Sequence, residues 1–111
     1  MSADDNLEHV RFNASLWIWR PDPPAKASWH FVTVTGPAAN AIAARAFEMK
    51  ALGGSRGFGS VRVQARIGKT RFATSVFPSA EQDGYLLPVK ASVRKAENIG
   101  DGDSVEVELA F

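Results

Sequence analysis

The sequence predicts a small α+β domain that is mainly β, a partly open barrel of six or seven mostly antiparallel strands with two short helices. Three observations predict this class. Short segments in which apolar and polar residues alternate recur along the chain, as is typical of half-buried strands. Two other segments carry apolar residues at helical spacing, each near a proline. The 111 residues are 45% hydrophobic and 23% charged, which is the composition of one globular domain.

Strands are predicted where apolar residues occupy every second position or where β-branched and aromatic residues cluster. These segments are Arg11 to Trp19, Trp29 to Thr35, Ser60 to Ile67, Thr70 to Phe77, Tyr85 to Leu87 and Ser104 to Leu109. Gly68 and Lys69 form a predicted two-residue hairpin turn, since glycine tolerates the positive φ of the first turn position. Pro78 is expected to end the fourth strand, because proline has no N–H to donate.

Two helices are predicted between these strands. The first begins at Pro37 and ends at Gly53-Gly54. Its predicted buried stripe consists of Ala39, Ile42, Ala43, Ala46 and Met49. The second begins at Pro88, and its predicted stripe consists of Val89, Val93 and Ala96. Asp101-Gly102-Asp103 then predicts a turn into the last strand.

The composition excludes several kinds of site. There is no cysteine, so disulfides and thiolate metal sites are excluded. With only His9 and His30 as imidazole ligands, the sequence predicts neither a metal nor another cofactor. No apolar run reaches the length of a membrane span, and the first residues are acidic and polar. We therefore expect a cytoplasmic protein with no membrane partner, in which a disordered lead-in, residues 1–10, precedes a single domain, residues 11–111.

The charges are unevenly distributed although the net charge is only +1. Basic residues are concentrated in residues 45–71, and acidic residues in residues 97–108. One interpretation is a basic face that attracts an anion. The other is that the two segments pair within one sheet, so that opposite charges cancel across strands. We favour the second interpretation, because cross-strand charge pairs commonly fix strand register.

Five motifs occur in order along the chain: Trp29-His30-Phe31, Gly57-Phe58-Gly59-Ser60-Val61-Arg62-Val63, Thr74-Ser75-Val76-Phe77-Pro78, Gly84-Tyr85-Leu86-Leu87-Pro88-Val89-Lys90 and Val93-Arg94-Lys95-Ala96-Glu97. Together they resemble the bacterial family catalogued as domain of unknown function 1905, from about Phe12 to Leu109. The last third of the chain also resembles the repeating half of the double-split β-barrels, which include AbrB-type DNA-binding transcription factors. The resemblance implies a double-split β-barrel and no established reaction. A weak internal repeat predicts a pseudo-two-fold axis within one chain, hence a monomer or a weak dimer.

The leading functional hypothesis is a non-catalytic binding module for a small anionic molecule or a protein partner. Aromatic cavities with a few convergent polar groups are typical ligand sites, and the chain is rich in aromatic residues. We expect the pocket to contain Trp29, His30, Arg62, Tyr85 and Lys90. Trp29 and Tyr85 would pack on the ligand, His30 would form a hydrogen bond, and the two basic residues would hold an anion. The simpler interpretation is that the aromatic residues form the core.

Two alternative functions stay open. Arg62, Arg66, Lys90, Arg94 and Lys95 would form an AbrB-like nucleic-acid-binding patch if the strand and the helix that carry them converge. An enzyme of unknown reaction would use His30 as its general base, since histidine titrates near neutral pH. No nucleophile and orienting group are spaced around it in a recognisable pattern, so we predict no catalytic residues.

Overall fold

The structure is a computed structural model of the chain, and it describes residues 7–20, 29–53 and 59–111. Its elements are β1 (His9–Trp19), β2 (Trp29–Val34), α1 (Gly36–Ala51), β3 (Val61–Ile67), β4 (Thr70–Ser79), β5 (Gly84–Pro88), α2 (Ala91–Glu97) and β6 (Ser104–Ala110). The predicted mainly β α+β class is therefore confirmed. The first strand begins two residues before the predicted domain boundary, whereas residues 1–6 lie outside the described part of the chain.

The strands form a closed barrel in the order β1-β2-β5-β4-β3-β6, and every neighbouring pair is antiparallel. The predicted barrel is therefore confirmed, but it is closed and not partly open. Closure depends on β1, whose first part, His9 to Ser15, pairs with β6 and whose last part, Leu16 to Trp19, pairs with β2. One long strand thus joins both ends of the sheet and removes its free edges.

The strand–helix–strand order occurs twice, as β2–α1–β3 and as β5–α2–β6. The strands that correspond in the two copies pair with each other, β2 with β5 and β3 with β6, and both pairs are antiparallel. This pairing is compatible with the predicted pseudo-symmetry, because a two-fold axis between two paired strands would relate them in opposite directions. None of the helices in the described residues is long and apolar enough to cross a membrane.

The barrel interior is filled from alternate positions of its strands. In β3 the buried residues are Val61, Val63, Ala65 and Ile67, and in β6 they are Val105, Val107 and Leu109. Both alternations are as predicted. The predicted hairpin is also present, since Ile67 pairs with Thr70 and Gly68 has a φ of +59°. The turn before β6 places Gly102 at a φ of +88° and lets Asp103 Oδ2 accept a hydrogen bond from Gly100 N.

Two proline predictions are wrong. Pro78 lies inside β4 and pairs with Tyr85, and Pro88 is the last residue of β5. Helix α2 begins only at Ala91, with Lys90 as its N-cap. Each proline follows the point at which one neighbouring strand has ended, because β3 pairs with β4 only up to Val76 and β4 pairs with β5 only up to Leu86. On the side where the neighbouring strand has ended, there is no carbonyl group that needs the missing N–H of the proline. Both prolines are therefore tolerated within their strands.

The helical stripes are confirmed in part. Ala39 and Ile42 in α1 are buried as predicted, and so is Val93 in α2. Ala43 and Ala96 are exposed instead, because each helix covers the barrel over a narrower face than the full apolar pattern suggested. Helix α1 ends at Ala51 with Leu52 as its C-cap, just before the predicted Gly53, while Gly54 lies outside the described residues.

The predicted cancellation of charge across strands is confirmed where β3 meets β6. Arg66 and Glu108 are cross-strand partners, and Arg66 Nη2 lies 2.6 Å from Glu108 Oε1. Arg11 of β1 contacts the same carboxylate from the other side. Hydrogen bonds from Arg66 and Arg11 lower the pKa of Glu108 below its usual value of 4.5. Three adjacent strands therefore share one alternating charge ladder, basic–acidic–basic.

Candidate functional site

A cavity of about 280 Å³ lies where β2 begins, β5 ends and α2 starts. It exists because β5 pairs with β4 only from Gly84 to Leu86 and then leaves it. The earlier part of β4, which includes Phe72 and Thr74, is left without a partner from β5, and α2 packs there instead. The change from strand pairing to helix packing leaves a concave surface between β2, β4 and α2.

The charged side chains that line this cavity are basic, and a histidine lies beside them. His30 comes from β2, Lys90 precedes α2, and Arg94 lies on α2 itself. No Asp or Glu occurs among the described residues that line it. The remaining lining is largely apolar and includes Trp29, Phe72, Pro88 and Val89. We call this site, defined by Trp29, His30, Lys90 and Arg94, the cationic cavity.

Arg94 is held in place beside His30. Its Nε donates a hydrogen bond to the carbonyl oxygen of Val89 at 3.1 Å, and its Nη1 lies 3.4 Å from His30 Nε2. A guanidinium has donors only, so Nε2 must be the accepting nitrogen of a neutral ring and Nδ1 must carry the proton. That Nδ1–H is buried and has no hydrogen-bond partner in the described structure. His30 therefore has an unsatisfied donor that solvent does not reach, whereas Lys90 and Arg94 are the side chains that offer positive charge to the cavity.

The electrostatics of His30 favour the same neutral ring. Burial lowers the pKa of His30 below its usual value of 6.5, and the charges of Arg94 and Arg20 lower it further. Asp101 acts in the opposite direction but does not reverse the shift. The imidazole is thus uncharged at pH 7, and Lys90 and Arg94 supply the positive charge of the cavity.

We expect the stability of the protein to fall as the pH drops below about 6.5, because the unfolded chain then binds a proton that the folded His30 resists. The loss continues down to the lowered pKa of the folded state and levels off below it. Urea unfolding between pH 5 and pH 7 would measure this, and His30→Asn should flatten the profile in that window. An unchanged profile in His30→Asn would refute the assignment.

The structure brings together three of the five residues predicted for a ligand pocket. Trp29, His30 and Lys90 line the cationic cavity. Tyr85 does not, because it faces the barrel interior, where burial raises its pKa. Arg62 does not either, because it lies on the outer face of β3 at a separate cavity that also contains Arg45 and Phe111.

No cavity of the described structure brings together the five residues predicted for nucleic-acid binding. Lys90 and Arg94 share the cationic cavity, but Lys95 is exposed outside its lining. Arg66 is paired with Glu108, and Arg62 lines a different cavity. Sequence reasoning placed Arg94 only in this second set. The four-residue spacing between Lys90 and Arg94 could have placed both in the pocket, because it puts them on one face of a helix. Nothing in the sequence indicated that Phe72 and Thr74 of β4 would line the same cavity.

A second, larger cavity of about 540 Å³ lies on the outer face of the barrel. We call it the aromatic groove and define it by Trp17, Trp19, Trp29, Phe31, Phe77 and Leu86. The rings of Trp29 and Phe31 are nearly parallel, with centroids 6.4 Å apart, and Trp17 is tilted against Phe31 at 5.4 Å. Trp17 Nε1 also donates a hydrogen bond to Thr33 Oγ1 at 2.9 Å.

The aromatic residues of the groove are therefore not part of the barrel core, and the simpler interpretation is wrong for them. Exposure reaches 46% for Trp19, 54% for Trp29 and 44% for Phe77. Strand alternation places them on the side opposite the buried Leu16 and Val32. Exposed apolar patches on small proteins are often binding sites. Among the described residues no group of three or more His, Asp or Glu side chains is arranged to hold a metal ion.

Comparison with known proteins agrees with the motifs. Residues 12–109 match the family model described as "Domain of unknown function (DUF1905)", which is nearly the whole chain. The family resemblance indicated by the five motifs is thus confirmed. No curated protein matches the chain. The description of the family names no reaction or ligand, so function must be argued from the two cavities.

Proposed function

The chain belongs to the DUF1905 family, and we propose that it is a non-catalytic module that binds a small organic anion in the cationic cavity. The observation that carries the proposal is the convergence of Lys90, Arg94 and His30 on one cavity that has no carboxylate in its described lining. Uncompensated cations at a concave site favour an anionic ligand, since their charge is otherwise left to solvent.

Lys90 and Arg94 have complementary parts in holding a carboxylate or a phosphate. Arg94 contacts the Val89 carbonyl oxygen through Nε and His30 Nε2 through Nη1, which fixes the side chain and leaves Nη2 as a charged donor for the ligand. Lys90 is exposed and adds a second charge at the entrance. Trp29, Phe72 and Pro88 suit the carbon skeleton of an organic anion better than a bare inorganic ion.

Binding is favoured over catalysis by the surroundings of His30. A neutral imidazole suits a general base, but such a base is normally oriented by a carboxylate or carbonyl acceptor. Here the Nε2 atom faces the guanidinium of Arg94, a group that can only donate. The ring is therefore held as an acceptor toward Arg94, and its Nδ1 has no acceptor among the described residues that would orient it as a base.

The test is calorimetric titration with phenyl phosphate, which carries one phosphate and one small ring. We expect Lys90→Gln and Arg94→Gln each to weaken binding by about tenfold or more, the range for a lost charge-assisted hydrogen bond. Lys95→Gln is the matched control, because it removes the same charge from the same helix outside the cavity. Thermal melting of each variant checks that the fold is retained.

Two outcomes would contradict the proposal. Equal weakening in Lys95→Gln would mean that phenyl phosphate responds to the general charge of the protein and not to the cavity. Undetectable binding of phenyl phosphate by the wild-type protein would remove the anion site altogether. Duplex DNA titrated at low and high salt addresses the AbrB-like alternative, which requires a steep linear log–log dependence on salt and a contribution from Lys95.

A further inference from the structure

The cationic cavity and the aromatic groove share a wall. Trp29 and Pro88 line both of them, one at the start of β2 and the other at the end of β5. These two residues are diagonal neighbours across the sheet, since Pro88 pairs with Phe31, two positions after Trp29. Strand alternation sends His30 to one side of β2 and Phe31 to the other. The side chain of Trp29 therefore separates the two cavities and contributes to the lining of both.

The groove offers a preformed surface for a flat apolar group. Trp29 and Phe31 lie within 8° of parallel, and Trp17 is fixed by its hydrogen bond to Thr33. Rigid aromatic residues lose little conformational freedom when they bind, so they are efficient contacts for another ring. The groove contains no Lys or Arg among its described lining residues, whereas Glu81 and Gln82 lie at its rim. A second anionic group is thus disfavoured there.

We infer that one molecule occupies both cavities, with its phosphate or carboxylate at Lys90 and Arg94 and a flat aromatic body that extends across Trp29 onto the groove. The inference rests on the proposed function and narrows it to aryl and heteroaryl anions. Glu81 and Gln82 would accept hydrogen bonds from amino or hydroxyl groups at the far end of such a ligand. A small molecule fits better than single-stranded nucleic acid, because a nucleic-acid groove needs cations along its length. Among the described residues that line the two cavities, Lys and Arg occur at one end only.

Biphenyl-4-yl phosphate and phenyl phosphate test the inference, because they share the phosphate and differ by one ring. We expect wild-type protein to bind the biphenyl compound about threefold to tenfold more tightly, the gain of one aromatic contact. Phe77→Ala should remove most of that gain and leave phenyl phosphate unaffected, since Phe77 lines only the groove. Phe47→Ala is the matched control, a 75% exposed phenylalanine on α1.

The outcomes separate this inference from the proposed function. If Lys90→Gln weakens both compounds but Phe77→Ala weakens neither, the anion site stands and the shared ligand is refuted. If Lys90→Gln leaves the biphenyl compound unaffected, the groove binds by itself and both ideas fail. Oligothymidylate that binds more tightly than the biphenyl compound, with several ions released per complex, would replace the small molecule with nucleic acid. The inference is supported if the biphenyl compound binds more tightly than phenyl phosphate and if Phe77→Ala removes that difference in affinity.

Discussion

Gly84→Ala is expected to destabilise the protein by about 3 kcal/mol or more, at the upper end of what overpacking costs. A Cβ atom at position 84 would lie 2.0 Å from the carbonyl oxygen of Val34 and 3.3 Å from Thr35 Cγ2. The first contact is with backbone of β2, which cannot rotate away as a side chain can. Since Val34 is paired with Tyr85, relief requires β5 to move away from β2 at its first residue.

Urea unfolding measures the change, and Gly100→Ala is the matched control. A Cβ atom at Gly100 has no neighbour within 4 Å, and neither Gly84 nor Gly100 has a positive φ. The two substitutions therefore differ in the close approach of backbone and not in conformational preference. Equal stability of the two variants would show that β5 and β2 do not approach each other as described. Because β5 leads directly to Lys90, Gly84→Ala should also weaken phenyl phosphate binding.

Leu87→Ala is expected to cost about 2–5 kcal/mol, the range for a leucine removed from a well-packed core. Leu87 is 0% exposed, lies in the middle strand of the β2–β5–β4 part of the barrel and pairs with Val32, which is also fully buried. A barrel closed by strand pairing on all sides can collapse little around a missing side chain, so the cavity should persist.

The control for this prediction is Leu52→Ala, since Leu52 is 83% exposed at the end of α1. It should change the free energy of unfolding by less than about 0.5 kcal/mol, as surface substitutions usually do. A loss of similar size in both variants would mean that Leu87 is not part of a packed interior. A Leu87→Met variant, which conserves volume, should recover most of the stability lost by Leu87→Ala.

The candidate site was predictable only where its residues are close in sequence. Trp29 and His30 are neighbours, and Lys90 and Arg94 are one helical turn apart, so each pair could be recognised from the sequence. That the two pairs meet depends on the register of β2 against β5, which places Val89 N against the carbonyl oxygen of His30. Arg62 and Tyr85 were expected in the pocket because their residue types suit it. Alternation placed one of them on the outer face of β3 and the other in the core.

The sequence by itself determined the family, the mainly β class, the alternation of β3 and β6, and the hairpin at Gly68. These depend on local periodicity and turn geometry, which each segment carries by itself. Only the tertiary structure decided that β1 closes the barrel, that Pro78 and Pro88 stay within strands, and that the cationic cavity adjoins the aromatic groove. Those features depend on where one strand stops pairing with its neighbour. That point is set by hydrogen bonds and packing between segments distant in sequence, so it cannot be predicted from any single segment.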